Sequence, residues 1–309
     1  MKLSWHIRRI VDENGEDSGF CFVRGHLTKE ATSQFHALSA DHRMLGLCSY
    51  GIFPLLHETN SDARQPYDPE DGWKRPYVEP LEAWAHCFRE PDRYLPPGRP
   101  RELFSNSDFT DADKVWSMGM QGNRPAKRWD LVYVCYGNWF HDVTKNWPLA
   151  RRCLAPLSKA GLRVLIVGRA DFPDIPDLPG IETIGRLGQD EFLQCVARAR
   201  VLWVPSGLDP SPRVIPEALS LDVPVLAYEH LLGGWKYVTP ETGAFFHDEG
   251  DVASAAVALL SRSLEPRKWF TENFGRPRAE ERLAGLLRSL GPDPSGRSGS
   301  SQARKAGIA

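Results

Sequence analysis

Cysteine is scarce and scattered in this 309-residue chain. The six thiols stand at positions 21, 48, 87, 135, 153 and 195 with no C-x-x-C pair, which removes the spacing of a zinc ribbon or a thiol redox motif. Several lie in apolar runs, Cys135 in LVYVCYG and Cys195 in EFLQCVA, where a small buried thiol is expected rather than a disulfide. The nine histidines are equally dispersed, and without an H-E-x-x-H or similar spacing no metal is expected. Long apolar runs are also missing. No stretch approaches the roughly 20 residues of a membrane-spanning helix, and the start, MKLSWHIRRIVDENGEDSG, lacks the apolar centre of a secretory signal. The cytoplasm is therefore the expected location. Nor is one sign of charge in excess: 38 Lys plus Arg face 40 Asp plus Glu, a formal net charge of -2. Such a balance gives no global basic field for nucleic acid or an anionic membrane, so any anion site must be local. Finally, no G-x-G-x-x-G follows a strand, and neither G-x-x-x-x-G-K-[ST] nor G-x-S-x-G occurs, which disfavours dinucleotide, P-loop and α/β-hydrolase sites.

What the chain does have is ordinary globular composition, 41% hydrophobic and 25% charged, at a length that favours two domains. Residues 1–58 hold two β-like runs, GFCFVRG at 19–25 and MLGLCSYGIF at 44–53. A helical stripe of Leu27, Ala31, Phe35 and Leu38 lies between them behind a Thr28 cap, so this stretch reads as a β-α-β fragment. Residues 59–102 are rich in Pro, Asp and Arg and read as mostly irregular chain; the aromatic piece WAHCF at 84–88 interrupts them.

From residue 129 onward, strands and helices alternate. DLVYVCYG (130–137), RVLIVGR (163–169), IETIG (181–185), VLWVPS (201–206) and VPVLAY (223–228) are apolar strand candidates. Helical patterns fall at 146–160, 189–199, 212–221 and 251–264, the first with Ala150, Cys153, Leu154 and Leu157 on one stripe and Gly161 as its stop. Continuous apolar strands between helices mean a parallel sheet covered on both faces. A last amphipathic helix carries Leu283, Leu286, Leu287 and Leu290, and the Gly/Ser-rich tail after it is expected to be disordered.

Open parallel sheets bind ligands at the carboxyl ends of their strands, which directs attention to the loops after 136, 168, 205 and 228. The first reads YGNWFHDVTKNW, with a Gly137-Asn138 turn and Lys145 just before a helix, an arrangement suited to phosphate. A solvated lysine is the plainer reading of the same residue. In PSGLDPSPRVIPEAL, Asp209 and Glu217 stand eight positions apart with Arg213 between them. A carboxylate can accept both hydroxyls of a vicinal diol and an arginine fork matches phosphate oxygens, so the trio suits ribose, sugar hydroxyls and diphosphate. A turn-forming Asp209 and a surface Glu217 are the plainer alternative. Asp111-x-Asp113 has the form of a metal-binding D-x-D, which occurs by chance in a chain of this acidity.

In order, DLVYVCYG with KN and LA (130–150), RVLIVGR, IGRLGQDEFLQCVARARVLWVPS, the Asp209 to Glu217 element with EALSLDVPVLA, the Gly233-Gly234 turn and TGAFFHDEGD (242–251) resemble the donor domain of GT-B glycosyltransferases. The likeness covers about residues 130–260 and is greatest to the retaining family-four enzymes. The resemblance implies an α/β, GT-B-like fold: a Rossmann-like C-terminal domain with a parallel sheet at 126–290, a reduced N-terminal α/β domain at 1–125 on the acceptor side, and a disordered tail at 291–309. It implies that Glu217 grips ribose, Asp209, in place of the usual Glu, contacts the transferred sugar, and Lys145 binds diphosphate, with Gly137 and Asn138 nearby. Arg213 and Arg169 are both candidates for the partner arginine, because the first strand lacks the family's G-R pair. Pro210 and Pro212 replace glycines, and Pro212 has no N–H to offer a ligand. An N-domain histidine near the sugar would come from His26, His57 or His86.

The expected function is transfer of a sugar from a nucleoside diphosphate sugar to an unknown acceptor, a glycan, lipid or small molecule, with retention. No cofactor or metal is implied, because the nucleotide sugar is a substrate, and no nucleic acid or transmembrane segment is involved. A non-catalytic nucleotide-sugar-binding or regulatory protein is the alternative.

Overall fold

The computed structural model describes residues 3–51, 53–55, 75–170, 172–292 and 306–308. The chain forms two compact units, Met1–Phe109 with Arg276–Ala309, and Thr110–Gly275.

The first unit begins with β1 (Ile7–Asp12) and β2 (Asp17–Val23), an antiparallel pair. At their turn the Asp12 carboxylate accepts the backbone N–H groups of Asn14 and Glu16 at 2.8 and 2.9 Å, a local bond typical of Asp in turns. Helix α1 (Lys29–Ser39) follows, its first turn capped where Ala31 N–H donates to Thr28 Oγ1 at 3.3 Å. It buries Ala31, Phe35 and Leu38 and returns the chain to β3 (Arg43–Leu47), parallel to β2. The expected β-α-β fragment and its cap are thus present. Short parallel strands β4 (Trp84–Ala85) and β5 (Arg101–Glu102) extend the sheet through part of the stretch expected to be irregular.

The second unit contains α2 (Ala112–Met120), β6 (Trp129–Val134), α3 (Trp139–Thr144), α4 (Trp147–Lys159), β7 (Val164–Val167) and β8 (Ile181–Ile184). It continues with α5 (Gln189–Ala197), β9 (Ala199–Val204), α6 (Val214–Ser220), β10 (Val225–Tyr228), β11 (Gly243–Phe246), α7 (Val252–Leu260) and α8 (Pro266–Asn273). Its sheet is wholly parallel, in the order β11-β10-β9-β6-β7-β8. Because strand side chains alternate between faces, Leu131 and Tyr133 of β6 join one core with Leu154 and Leu157 of α4. Val132 and Val134 join another with Leu193 of α5 and Leu219 of α6. The central strands therefore carry apolar residues on both faces, which is why these segments read as largely apolar runs.

The chain then re-enters the first unit. Helix α9 (Arg276–Ser289) packs Leu283, Ala284, Leu286 and Leu287 against Phe20, Phe22, Leu45 and Leu47. The buried Arg43 guanidinium donates to Gly291 O at 2.7 Å and to Leu290 O at 3.3 Å, beyond the end of α9, while pairing with Glu82 at 2.7 Å. Two expectations are corrected here. The unit boundaries fall after 109 and 275 rather than at 125 and 290, because the apolar face of α9 is covered by β2 and β3. Part of the C-terminal stretch expected to be disordered is ordered, since β12 (Ala306–Ile308) pairs antiparallel with β1 and Ala306 is buried. The first sheet is consequently mixed, β12-β1-β2-β3-β4-β5. Among the described residues, no helix is long and apolar enough to cross a membrane.

Leu219 is fully buried beneath the second sheet. Leu219→Ala is expected to destabilise the protein by about 2–5 kcal/mol in urea unfolding, the usual range for removing a core leucine side chain.

Candidate active site

The strand order of the second sheet reverses between β6 and β9. From β6 the chain steps outward through β7 and β8, then crosses back to β9 and steps the other way through β10 and β11. Loops leaving the carboxyl ends of β6 and β9 consequently diverge, and the crevice between them is where open α/β sheets take ligands.

The β6 loop is tightly determined. Gly137 has φ +62°, and a methyl group there would lie 2.2 Å from the Phe172 ring, so both backbone and packing demand glycine. Asn138 caps α3, its Oδ1 accepting the His141 N–H at 2.9 Å. Lys145 ends that helix, with its N–H donating to His141 O at 2.8 Å and its own carbonyl accepting the Tyr133 hydroxyl at 3.0 Å. Held by those bonds, Lys145 sends its ammonium across the switch point to Asp209 Oδ2. Both side chains are largely buried.

Asp209 sits in the β9 loop. Its Oδ1 accepts the Ser211 N–H at 3.2 Å, and its carbonyl accepts the Gly233 N–H at 3.0 Å. A methyl group on Gly233 would fall 1.9 Å from Pro210 O, so the Gly-Gly turn and the prolines in place of glycines fit one another. On α6, Glu217 is buried and accepts from Gln189 Nε2 at 2.8 Å. Burial pushes its carboxyl above the ordinary carboxylate range, while Arg213, the Gln189 amide and Lys145 pull the other way. Arg213 precedes α6 and is exposed. Lys145, Asp209, Arg213 and Glu217, which the sequence places on separate segments, are therefore electrostatic neighbours.

His141 was not singled out from sequence, although it lies one helical turn before Lys145. Its imidazole is pushed below the ordinary histidine value by burial and by Lys145 and Arg186. Its Nδ1 is buried without a hydrogen-bond partner. The exposed Arg186, whose guanidinium lies 4.7 Å over the Tyr136 ring, is a further cation beside this loop.

The structure does not bring Arg169 into this group. It is 1% exposed and donates to Asp142 at 2.5 Å and to Asp174 at 3.0 and 2.9 Å. The rings of Trp147 and Phe172 flank it at 3.9 and 4.6 Å. Its fork is engaged in bracing the loops after β6 and β7. Asp111 caps α2 through the Lys114 N–H at 3.0 Å, and Asp113 pairs with Arg267 at 2.7 Å, so neither needs a metal to explain it. His26 and His86 are buried in the first unit, His26 beside Tyr77 at 3.1 Å and Arg75 at 2.7 Å. His57 lies outside the described residues.

Residues 130–262 match the family Glycosyl transferases group 1. The match spans the switch point and every residue of the Lys145 to Glu217 group, and the GT-B resemblance read from sequence is borne out. No significant match occurs among curated proteins. Among solved structures, similarity extends to sucrose-phosphate synthase from Thermosynechococcus elongatus, with a TM-score of 0.56, 16% identity, and coverage of 84% of this chain and 71% of that one. A UDP-forming α,α-trehalose-phosphate synthase from Burkholderia xenovorans gives a TM-score of 0.55 at 12% identity, covering 87% of this chain and 69% of that one. TarM from S. aureus, in complex with UDP, gives 0.57 at 12% identity, covering 81% of this chain and 51% of that one. The chain thus spans about half the length of TarM. At these identities the likeness is one of fold, and it establishes the GT-B-like α/β architecture.

The two roles of cation near this loop can be separated. Removing Arg169 strands two carboxylates that each keep about a third of their surface in water. Arg169→Met is therefore expected to lower stability by somewhat less than the about 3–5 kcal/mol of a fully buried pair. Chemical denaturation measures the loss.

Proposed function

We propose that this protein is a glycosyltransferase that moves a sugar from a nucleoside diphosphate sugar to an acceptor with retention at the anomeric carbon. The observation that carries this reading is the meeting of Lys145 with Asp209 across the switch point, with Glu217 buried beside them, in a segment matching a glycosyltransferase family.

In this reading Glu217 accepts hydrogen bonds from the ribose diol, Asp209 those of the transferred sugar, and Lys145 with Arg213 receives the diphosphate. Gly137 and Asn138 shape the loop under it. Breaking the anomeric C–O bond leaves charge on the departing diphosphate, and fixed cations in a half-buried site stabilise that charge without reorganising. The acceptor hydroxyl oxygen bonds to the anomeric carbon on the face the diphosphate leaves. Its proton passes to a phosphate oxygen of that leaving group, so no side-chain nucleophile is needed. Lys145 and Arg213 fill the cation role, and the reading calls for no cofactor or metal in transfer. Before donor arrives, Lys145 is neutralised by Asp209; the diphosphate competes for the ammonium and releases Asp209 toward the sugar.

Incubation with a panel of UDP- and GDP-sugars, with nucleoside diphosphate release as the readout, tests the reaction. Binding without turnover would favour a non-catalytic nucleotide-sugar-binding protein, and absence of UDP or GDP binding would remove the nucleotide reading altogether. Lys145→Ala is expected to lower turnover by about 10²–10³, the scale of losing one charge-stabilising group.

Glu217 supplies a pH signature. Its raised pKa means that acidification protonates it above the ordinary glutamate range, removing acceptor capacity for the diol. Nucleotide affinity should therefore fall as pH drops through that range, and the fall should flatten in Glu217→Gln. A raised carboxylate pKa also opposes folding once pH rises through it. Glu217→Gln is accordingly expected to melt slightly higher at neutral pH while binding nucleotide about tenfold or more weakly. Calorimetric titration and a melting curve on the same variant read both effects.

A further inference from the structure

A second constellation lies at the carboxyl ends of β10 and β11 in the same sheet, built from residues to which no role has been given above. In the parallel ladder Tyr228 pairs with Phe246, and the Glu229 N–H continues it to Phe246 O at 3.0 Å. Glu229 and His230 therefore leave β10 at the level where His247 leaves β11. The backbone under His247 is fixed by Asp251, whose two carboxylate oxygens accept its N–H at 2.9 and 3.0 Å and one of which takes the Asp248 N–H at 3.0 Å. From these positions Glu229 Oε1 lies 3.2 Å from His230 Nε2 and also meets His247 Nδ1. One ligand atom from each of the three residues lies within 4.8 Å of the others.

We propose that Glu229, His230 and His247 bind a borderline divalent cation of the zinc class, with the remaining coordination position open to solvent. Two imidazole nitrogens and one carboxylate suit such an ion, whereas magnesium and calcium prefer oxygen donors throughout. Around tetrahedral zinc, ligand atoms lie roughly 3.3–3.5 Å apart, a spacing these exposed side chains reach by small rotations. Asp248 and Asp251 add negative charge beside His247, and the neighbouring Glu249 is paired with Arg152 at 3.1 Å. The site also anchors the start of the loop whose Leu232 and Gly233 N–H groups bond to Gly207 O at 2.9 Å and Asp209 O at 3.0 Å. It stands apart from the transfer reading, and its test does not depend on activity.

Titration of the full-length, metal-stripped protein with zinc chloride, with magnesium chloride in parallel, is expected to show one zinc bound per chain and no magnesium. His230→Ala and His247→Ala should each weaken zinc binding by at least about tenfold while leaving the circular dichroism and metal-free melting curves unchanged. Unaltered zinc binding in the double variant, or folded wild-type protein that binds no zinc, would overturn the proposal. Cobalt separates the site from the cysteines: histidine and carboxylate ligation gives no thiolate charge-transfer band, and a strong one would overturn it equally.

Discussion

The candidate site in the second unit depends on the reversal of strand order between β6 and β9. Parallel neighbours require a crossover, so the chain steps in one direction from β6 and in the other from β9, and the loops leaving those two strands diverge. At that divergence Lys145 of one loop faces Asp209 of the other. Lys145 and Asp209 satisfy one another there, and the surrounding hydrogen bonds hold each from behind. The pair does not hold the fold together, which rests on the two apolar layers; it is what the layers present.

Cations near that divergence divide by what already surrounds them. Arg169 is buried against two carboxylates and two aromatic rings, and an ion pair so enclosed is expensive to break. It braces the first two loops. Lys145 has a single carboxylate and partial exposure, while Arg213 and Arg186 are exposed, so they can meet an incoming anion at small desolvation loss. His141 lies beside them, its imidazole pushed below the ordinary histidine value by burial and by Lys145 and Arg186.

The first unit depends on a different constraint. Its sheet is covered in part by chain from far along the sequence: α9 supplies leucines that pack on β2 and β3, and Arg43 ties the residues beyond that helix to β3. The chain therefore passes twice between the two units.

Much of the architecture was legible in the sequence, because strands buried on both faces must be apolar throughout and helices buried on one must be apolar at helical spacing. The runs at 130–137, 163–169, 181–185, 201–206 and 223–228, the Thr28 cap and the Gly161 stop all follow from that local chemistry. Strand β1 was not legible: its IRRIVD mixes charge with apolar residues and carries no clean period. The side to which α9 belongs was not legible either, since an amphipathic stripe states that a face is covered and not by what. The candidate loops were named by position, but that Arg169 is buried and paired while Arg213 is exposed was not legible, because burial and pairing are properties of neighbours. The trio of Glu229, His230 and His247 has no sequence spacing to betray it, because the register of β10 against β11 brings it together. Sequence alone determined the period, caps and breaks, each a matter of a few adjacent residues. Tertiary structure decided which charges meet, because Coulomb and hydrogen-bond interactions depend on distance through space, and that distance is set by strand order and register.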